Sequence, residues 1–220
     1  MHAYPADLAD AGECERLTAL IDHYGVALVD MGHTHYNELG NDGRTIFAAT
    51  RSTGQIDEGP VGFSLATIDC GIVSWRFKPL DDPFPFVMIT APVDRRLIRD
   101  PRQAIGDEPC LIRAMTFGLD EIASVGCQIG DGDWTPMRPD PGGRTWSVRA
   151  PIAGGPLPTL TVRALTSDGR PGQHTIAPAT RPFEPPSRER GGSDAASIGA
   201  WPENGILGTQ LGPNRHGRKW

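Results

Sequence analysis

Along the chain the apolar positions change period twice. From Asp10 to Tyr24, Cys14, Leu17, Leu20, Ile21 and Tyr24 recur at helical spacing, and Gly25 is suited to follow the last turn. Val26–Met31 is a short apolar run that predicts a buried strand. Three more strands are predicted at Thr45–Thr50, Gly62–Asp69 and Ile72–Lys78, with turn signals at Asn41-Asp42-Gly43 and Asp69-Cys70-Gly71. The second turn makes a hairpin of the strands that flank it. Three prolines in "PLDDPFPF" (Pro79–Phe86) then interrupt any regular element.

Beyond that boundary the period is two. Candidate strands are Phe86–Thr90, Cys110–Thr116, Ile122–Gly130, Thr145–Ala150 and Thr159–Leu165, and "TLTVRAL" alternates as a half-buried strand does. "IGDGDW" and "TSDGRPG" read as turns. Roughly seven short strands at this spacing predict an immunoglobulin-like β-sandwich with Trp134 and Trp146 at least partly buried. From Arg181 the composition is that of a linker, until Trp201, Ile206, Leu207, Leu211 and Trp220 appear among glycines. Those residues suit a segment docked on the body, with a disordered tail as the alternative. The fold class expected is therefore α/β plus all-β in three parts: 1–80, 81–180 and 181–220.

Composition narrows the function classes. A net charge of −6 argues against a generic nucleic-acid surface. The 27 glycines and 21 prolines agree with a turn-rich β-protein. Cys14, Cys70, Cys110 and Cys127 show no Cys-x-x-Cys spacing, so a zinc ribbon and a dense disulfide framework are both disfavoured. No stretch approaches the ~20 apolar residues of a membrane span. The start lacks a basic and then apolar leader, which slightly favours a cytoplasmic location.

The candidate chemistry lies at the end of the Val26 strand, in Gly32-His33-Thr34-His35. Ligand sites in open α/β sheets lie beyond the carboxyl edge of a strand. Neutral imidazole is the commonest metal ligand near neutral pH. If Met1 ends a strand, a right-handed strand–helix–strand unit brings His2 to the same edge as His33 and His35. Ordinary surface histidines are the simpler alternative. Asp69, Asp81, Asp82 and Asp94 read as turn or boundary acids. "IGDGDWTPM" lacks the longer calcium-loop pattern. His23 suits the negative end of a helix, and His174 and His216 stand isolated. Ser52 and Ser64 lack a nucleophile elbow, and "GILGTQLG" lacks the Lys-Ser/Thr of a P-loop.

"MHAYP…LTALIDHYGVALVDMGHTHYN" and "GPVGFSLATIDCGIVSWRFKPL" resemble the C-terminal half of the calcineurin-like metallophosphoesterase domain over about residues 1–80. The resemblance implies a partial calcineurin-like α/β sandwich with His2, His33 and His35 as metal ligands. It also implies hydrolysis of a small phosphate ester at a centre of two divalent ions (Mn, Fe or Zn), where water attacks phosphorus in line. The family's Asp-x-His, Gly-Asp-x-x-Asp and Gly-Asn-His-Asp/Glu motifs have no counterpart in this sequence. The bridging aspartate is therefore missing, and at most one ion and weak hydrolysis are expected from these residues alone. The expected partner is the N-terminal half of the domain. The alternative reading is a non-catalytic binding or structural sandwich beside an inert remnant of a phosphoesterase.

Overall fold

Local signals set the first elements. In this computed structural model, which describes residues 1–54, 59–152, 158–183, 191 and 196–207, helix α1 spans Ala11–His23. The Asp10 carboxylate caps it by accepting from Glu13 N at 2.9 Å. Gly25 follows it at φ +60°. Ile21 is buried and Leu17 half-buried, whereas Leu20 and Tyr24 face solvent. The buried row is thus narrower than the apolar spacing implied.

The chain forms two compact units, one of Met1–Ala66, Trp75–Asp81 and Pro185–Trp220, the other of Thr67–Ser74 and Asp82–Glu184. The first unit carries a three-stranded sheet of β1 (Leu28–Met31), β2 (Glu38–Asn41) and β3 (Ile46–Ala49) in the order β1-β3-β2. β1 runs parallel to β3, with Leu28 opposite Ile46, and β2 runs antiparallel to β3. The β2–β3 turn is held by Asp42, whose Oδ1 accepts from Arg44 N at 3.0 Å and Thr45 N at 2.8 Å. Tyr4, Ile21, Val29, Met31 and Phe47 form the core between helix and sheet.

β4 (Gly62–Asp69) and β5 (Ile72–Pro79) form the expected hairpin; Thr67–Ser74 at its tip belongs to the second unit, the rest to the first. Residues 196–207 belong to the first unit, where Ala196, Trp201, Asn204 and Ile206 are buried. Asn204 meets β5 with both ends of its carboxamide: Nδ2 donates to Trp75 O at 2.9 Å, and Oδ1 accepts from Phe77 N at 3.1 Å. Leu211 and Trp220 lie outside the described residues.

The second unit is a β-sandwich. Its strands are β6 (Phe86–Ala91), β7 (Cys110–Phe117), β8 (Ile122–Ile129), β9 (Thr135–Pro136), β10 (Arg138–Pro139), β11 (Thr145–Ala150), β12 (Leu160–Thr166) and β13 (Pro171–Ile176). One sheet has the order β10-β11-β7-β6 and the other β13-β12-β8-β9. Alternate residues of both face one core, with Ile112, Ala114 and Trp146 from one sheet and Val125, Cys127, Leu160, Val162 and Ala164 from the other. Trp134 is half-buried under the Arg163 guanidinium, 4.1 Å from its ring centroid. A buried histidine joins the layers: His174 Nδ1, on β13, accepts from Ile89 N on β6 at 3.0 Å. Among the described residues no helix is long and apolar enough to cross a membrane.

Candidate metal centre

The histidine loop begins where β1 ends. Met1 N donates to Asp30 O at 3.0 Å, and Gly32 N donates to His2 O at 3.1 Å. Met1 and His2 therefore lie along the end of β1, although the chain has passed through α1 in between. This brings two of the predicted ligands together. His33 Nδ1 is 3.1 Å from His2 Nε2, and the two rings meet edge to face with centroids 4.9 Å apart. His2 is exposed and His33 half-buried, so the pair sits at a surface.

The loop's backbone is unusual. His33 has φ +52° and His35 φ +62°, in the left-handed region that costs a non-glycine residue roughly 1–2 kcal/mol. Such conformations persist where surrounding bonds over-determine them. Thr34 N donates to Gly32 O at 2.7 Å, and Ser52 N donates to His35 O at 3.1 Å. Thr34, between the two histidines, is buried with no hydrogen-bond partner for its Oγ1 among the described residues.

The loop ends on Asn37, which is 0% exposed. Its Oδ1 accepts from Arg51 N at 2.9 Å, and its Nδ2 donates to Gly205 O at 3.1 Å. Arg51 Nη2 donates to the same carbonyl at 3.1 Å, and the guanidinium lies over Phe77, 5.3 Å from the ring centroid. Nothing local in the sequence marked Asn37, Arg51 or Gly205. The bonds among them span 14 to 168 residues.

Two nitrogens 3.1 Å apart fit adjacent positions on one ion. At Zn–N distances of about 2.0–2.1 Å, ligand nitrogens are roughly 2.9 Å apart at a right angle and roughly 3.4 Å apart at a tetrahedral one. The same spacing also suits a hydrogen bond between one protonated and one unprotonated ring nitrogen. His35 is half-buried in the same loop, yet no group of three His, Cys, Asp or Glu side chains arranged to hold a metal occurs among the described residues. Among the described residues the two imidazoles of His2 and His33 are thus a pair, without a carboxylate grouped with them.

The other candidates have structural partners. Asp69 pairs with Arg113 at 2.6 Å and accepts from Thr90 Oγ1 at 2.7 Å. Buried Asp94 holds Arg96 at 3.1 Å and accepts from Ala177 N at 3.0 Å. His23 packs on Tyr24, ring centroids 4.8 Å apart. His174 is the tie between layers described above, and His216 lies outside the described residues.

No family model and no curated protein matches this chain. Among solved structures it is similar to an engineered protein, at 20% identity over 44% of this chain and 20% of that one, with a TM-score of 0.34. It is similar to an endo-β-1,4-mannanase from Thermotoga petrophila at 11% identity over 46% of this chain and 20% of that one, TM-score 0.35. It is also similar to CopC from Methylosinus trichosporium OB3b at 19% identity over 37% of this chain and 86% of that one, TM-score 0.27. The matched part spans about a fifth of the first two proteins. At these TM-scores the likenesses carry no functional argument.

Proposed function

We propose that the first unit is the ligand-bearing C-terminal part of a calcineurin-like metallophosphoesterase domain, and that the protein acts in metal-dependent hydrolysis of a phosphate ester. The observation that carries this reading is the His2–His33 pair, 3.1 Å apart at the carboxyl end of a strand that runs parallel to its neighbour. In this reading His2 and His33 hold one divalent ion, with His35 as the third imidazole of the motif. When bound, the ion supplies charge that activates water and stabilises the phosphoryl oxygens. The chain's own part is to present imidazole nitrogens from a loop with a fixed backbone. The family's carboxylate-bearing motifs have no counterpart in these 220 residues; in this reading a second polypeptide would have to supply them.

The test is a manganese-supplemented assay on a chromogenic phosphodiester. The 220-residue chain alone is expected to turn over slowly, since even ~4 kcal/mol of lost transition-state stabilisation is roughly a thousandfold in rate. Supplying a polypeptide with the Asp-x-His, Gly-Asp-x-x-Asp and Gly-Asn-His motifs should restore turnover, and His33→Ala should abolish it. Full activity of the complemented protein with His33→Ala would defeat the assignment.

A second reading applies to the sandwich. Its sheet orders correspond to the A-B-E-D and G-F-C-C′ sheets of an immunoglobulin-like domain. We infer that it is an immunoglobulin-like module that recruits a partner or substrate. A pull-down in which residues 82–184 retain no ligand held by the full chain would remove that role.

A further inference from the structure

The histidine loop is braced by a segment far away in sequence. Asn37 lies two residues after His35, and its buried carboxamide is used at both ends, by Arg51 N and by Gly205 O. Gly205 sits in residues 196–207, which Asn204 fastens to β5 and whose Trp201 and Ile206 are buried in the same unit. Position 205 favours glycine. Its φ is +74°, and a Cβ there would stand 2.8 Å from Phe77 Cδ1 and 3.0 Å from Asn37 Nδ2. A side chain at 205 would therefore push the segment away from the very amide that ends the histidine loop.

The loop needs such a brace. Two of its non-glycine residues, His33 and His35, occupy left-handed backbone conformations. Relaxing either one rotates the imidazole it carries. The bonds that resist relaxation are Ser52 N to His35 O, Arg51 N to Asn37 Oδ1, and Asn37 Nδ2 to Gly205 O. The first two come from residues 51 and 52, directly after β3. The third comes from the C-terminal segment.

We infer that residues 204–206 are a positioning element for the histidine loop: through Asn37, the Gly205 carbonyl holds His33 in register with His2. Neither Asn37 nor Gly205 touches an imidazole in this role. They fix the backbone from which the imidazoles project, as outer-shell groups do for metal-ligating histidines. The metal consequence rests on the reading of this loop as a metal site; the ring geometry does not.

The experiment uses the full 220-residue chain with 15N-labelled histidine and 13C-labelled isoleucine and valine methyls. The rings of His2 and His33 should give a cross-relaxation signal in the unsubstituted protein, and zinc alone, titrated in, should perturb both. Gly205→Ala and Asn37→Asp should each lose the ring–ring signal and weaken zinc binding roughly 10–100-fold, while the Ile46 and Val29 methyl shifts stay in place. Asn37→Asp still accepts from Arg51 N but cannot donate to Gly205 O, and Gly205→Ala disturbs the same contact without adding a carboxylate. Retention of the ring contact and of zinc affinity in both variants would overturn the inference. So would collapse of the Ile46 and Val29 signals in Gly205→Ala, because the segment would then support the sheet as a whole. If the unsubstituted chain binds no zinc but loses its ring contact on Gly205→Ala, the metal reading fails and the positioning role stands.

Discussion

Asn204→Ala is the sharpest test of how the first unit holds its C-terminal segment. Asn204 is 1% exposed, and its carboxamide satisfies Trp75 O and Phe77 N, two backbone groups of β5. A carboxamide presents a donor and an acceptor much as a peptide group does, so Asn204 occupies that edge of β5 as a neighbouring strand would. Truncation to Ala leaves a buried carbonyl and a buried amide without these partners, at about 1–3 kcal/mol each, or roughly 2–6 kcal/mol together. The upper end has a ceiling. If the loss exceeds the free energy of docking, residues 196–207 detach and water reaches β5. Burial of Trp201 and Ile206 sets that ceiling at several kcal/mol, since a large apolar side chain contributes about 1.5–3 kcal/mol on full burial. Native-state hydrogen exchange reads both regimes through the Phe77 amide. Asn204→Ala should accelerate its exchange roughly tenfold for every 1.4 kcal/mol lost. Asn204→Asp should not rescue it, because a carboxylate would face the Trp75 carbonyl. A change below ~0.5 kcal/mol, the size of an ordinary surface substitution, would refute the role given to this side chain.

Two further outcomes follow from the second unit. Side-chain and backbone hydrogen bonds from Arg102 hold the half-buried Asp100 carboxyl at about 2 rather than its ordinary 3.8. Because the folded value is depressed, the stabilisation is present above about pH 4 and is lost as pH falls toward 2; Arg102→Gln should move the carboxyl's NMR titration midpoint back upward, and an unmoved midpoint would show that another group sets it. Among the thiols, exposed Cys70 should react first with a disulfide reagent at pH 8 and buried Cys127 last, since burial raises the pKa of both Cys110 and Cys127; native-state labelling of Cys127 as fast as Cys70 would mean that the sandwich core is open.

What the sequence determined by itself was local. Helix α1 was legible because its apolar residues recur at helical spacing and its stop, Gly25, acts within one turn of the end it defines. β4 and β5 were legible because Asp69-Cys70-Gly71 marks the turn between them, and β12 because a period of two matches a strand that alternates buried and half-buried along its whole length. β2 was missed. Glu38-Leu39-Gly40-Asn41 has poor strand propensity, and all four residues are buried because tertiary pairing with β3 places them there. β13 was missed because it opens with Pro171-Gly172, which reads as a turn; as an edge strand of its sheet it tolerates a proline at its first position. The candidate site divides the same way. Gly-His-Thr-His after an apolar run is visible in one dimension, and so is the helix that leads back to His2. Only the tertiary structure decides that His2 meets His33 edge to face, that His33 and His35 take left-handed backbone, and that Asn37 ends the loop on a carbonyl 168 residues away. A cap or a period acts between neighbours in the chain, whereas a buried amide takes whatever partner the packed fold brings within 3 Å, and sequence distance does not enter.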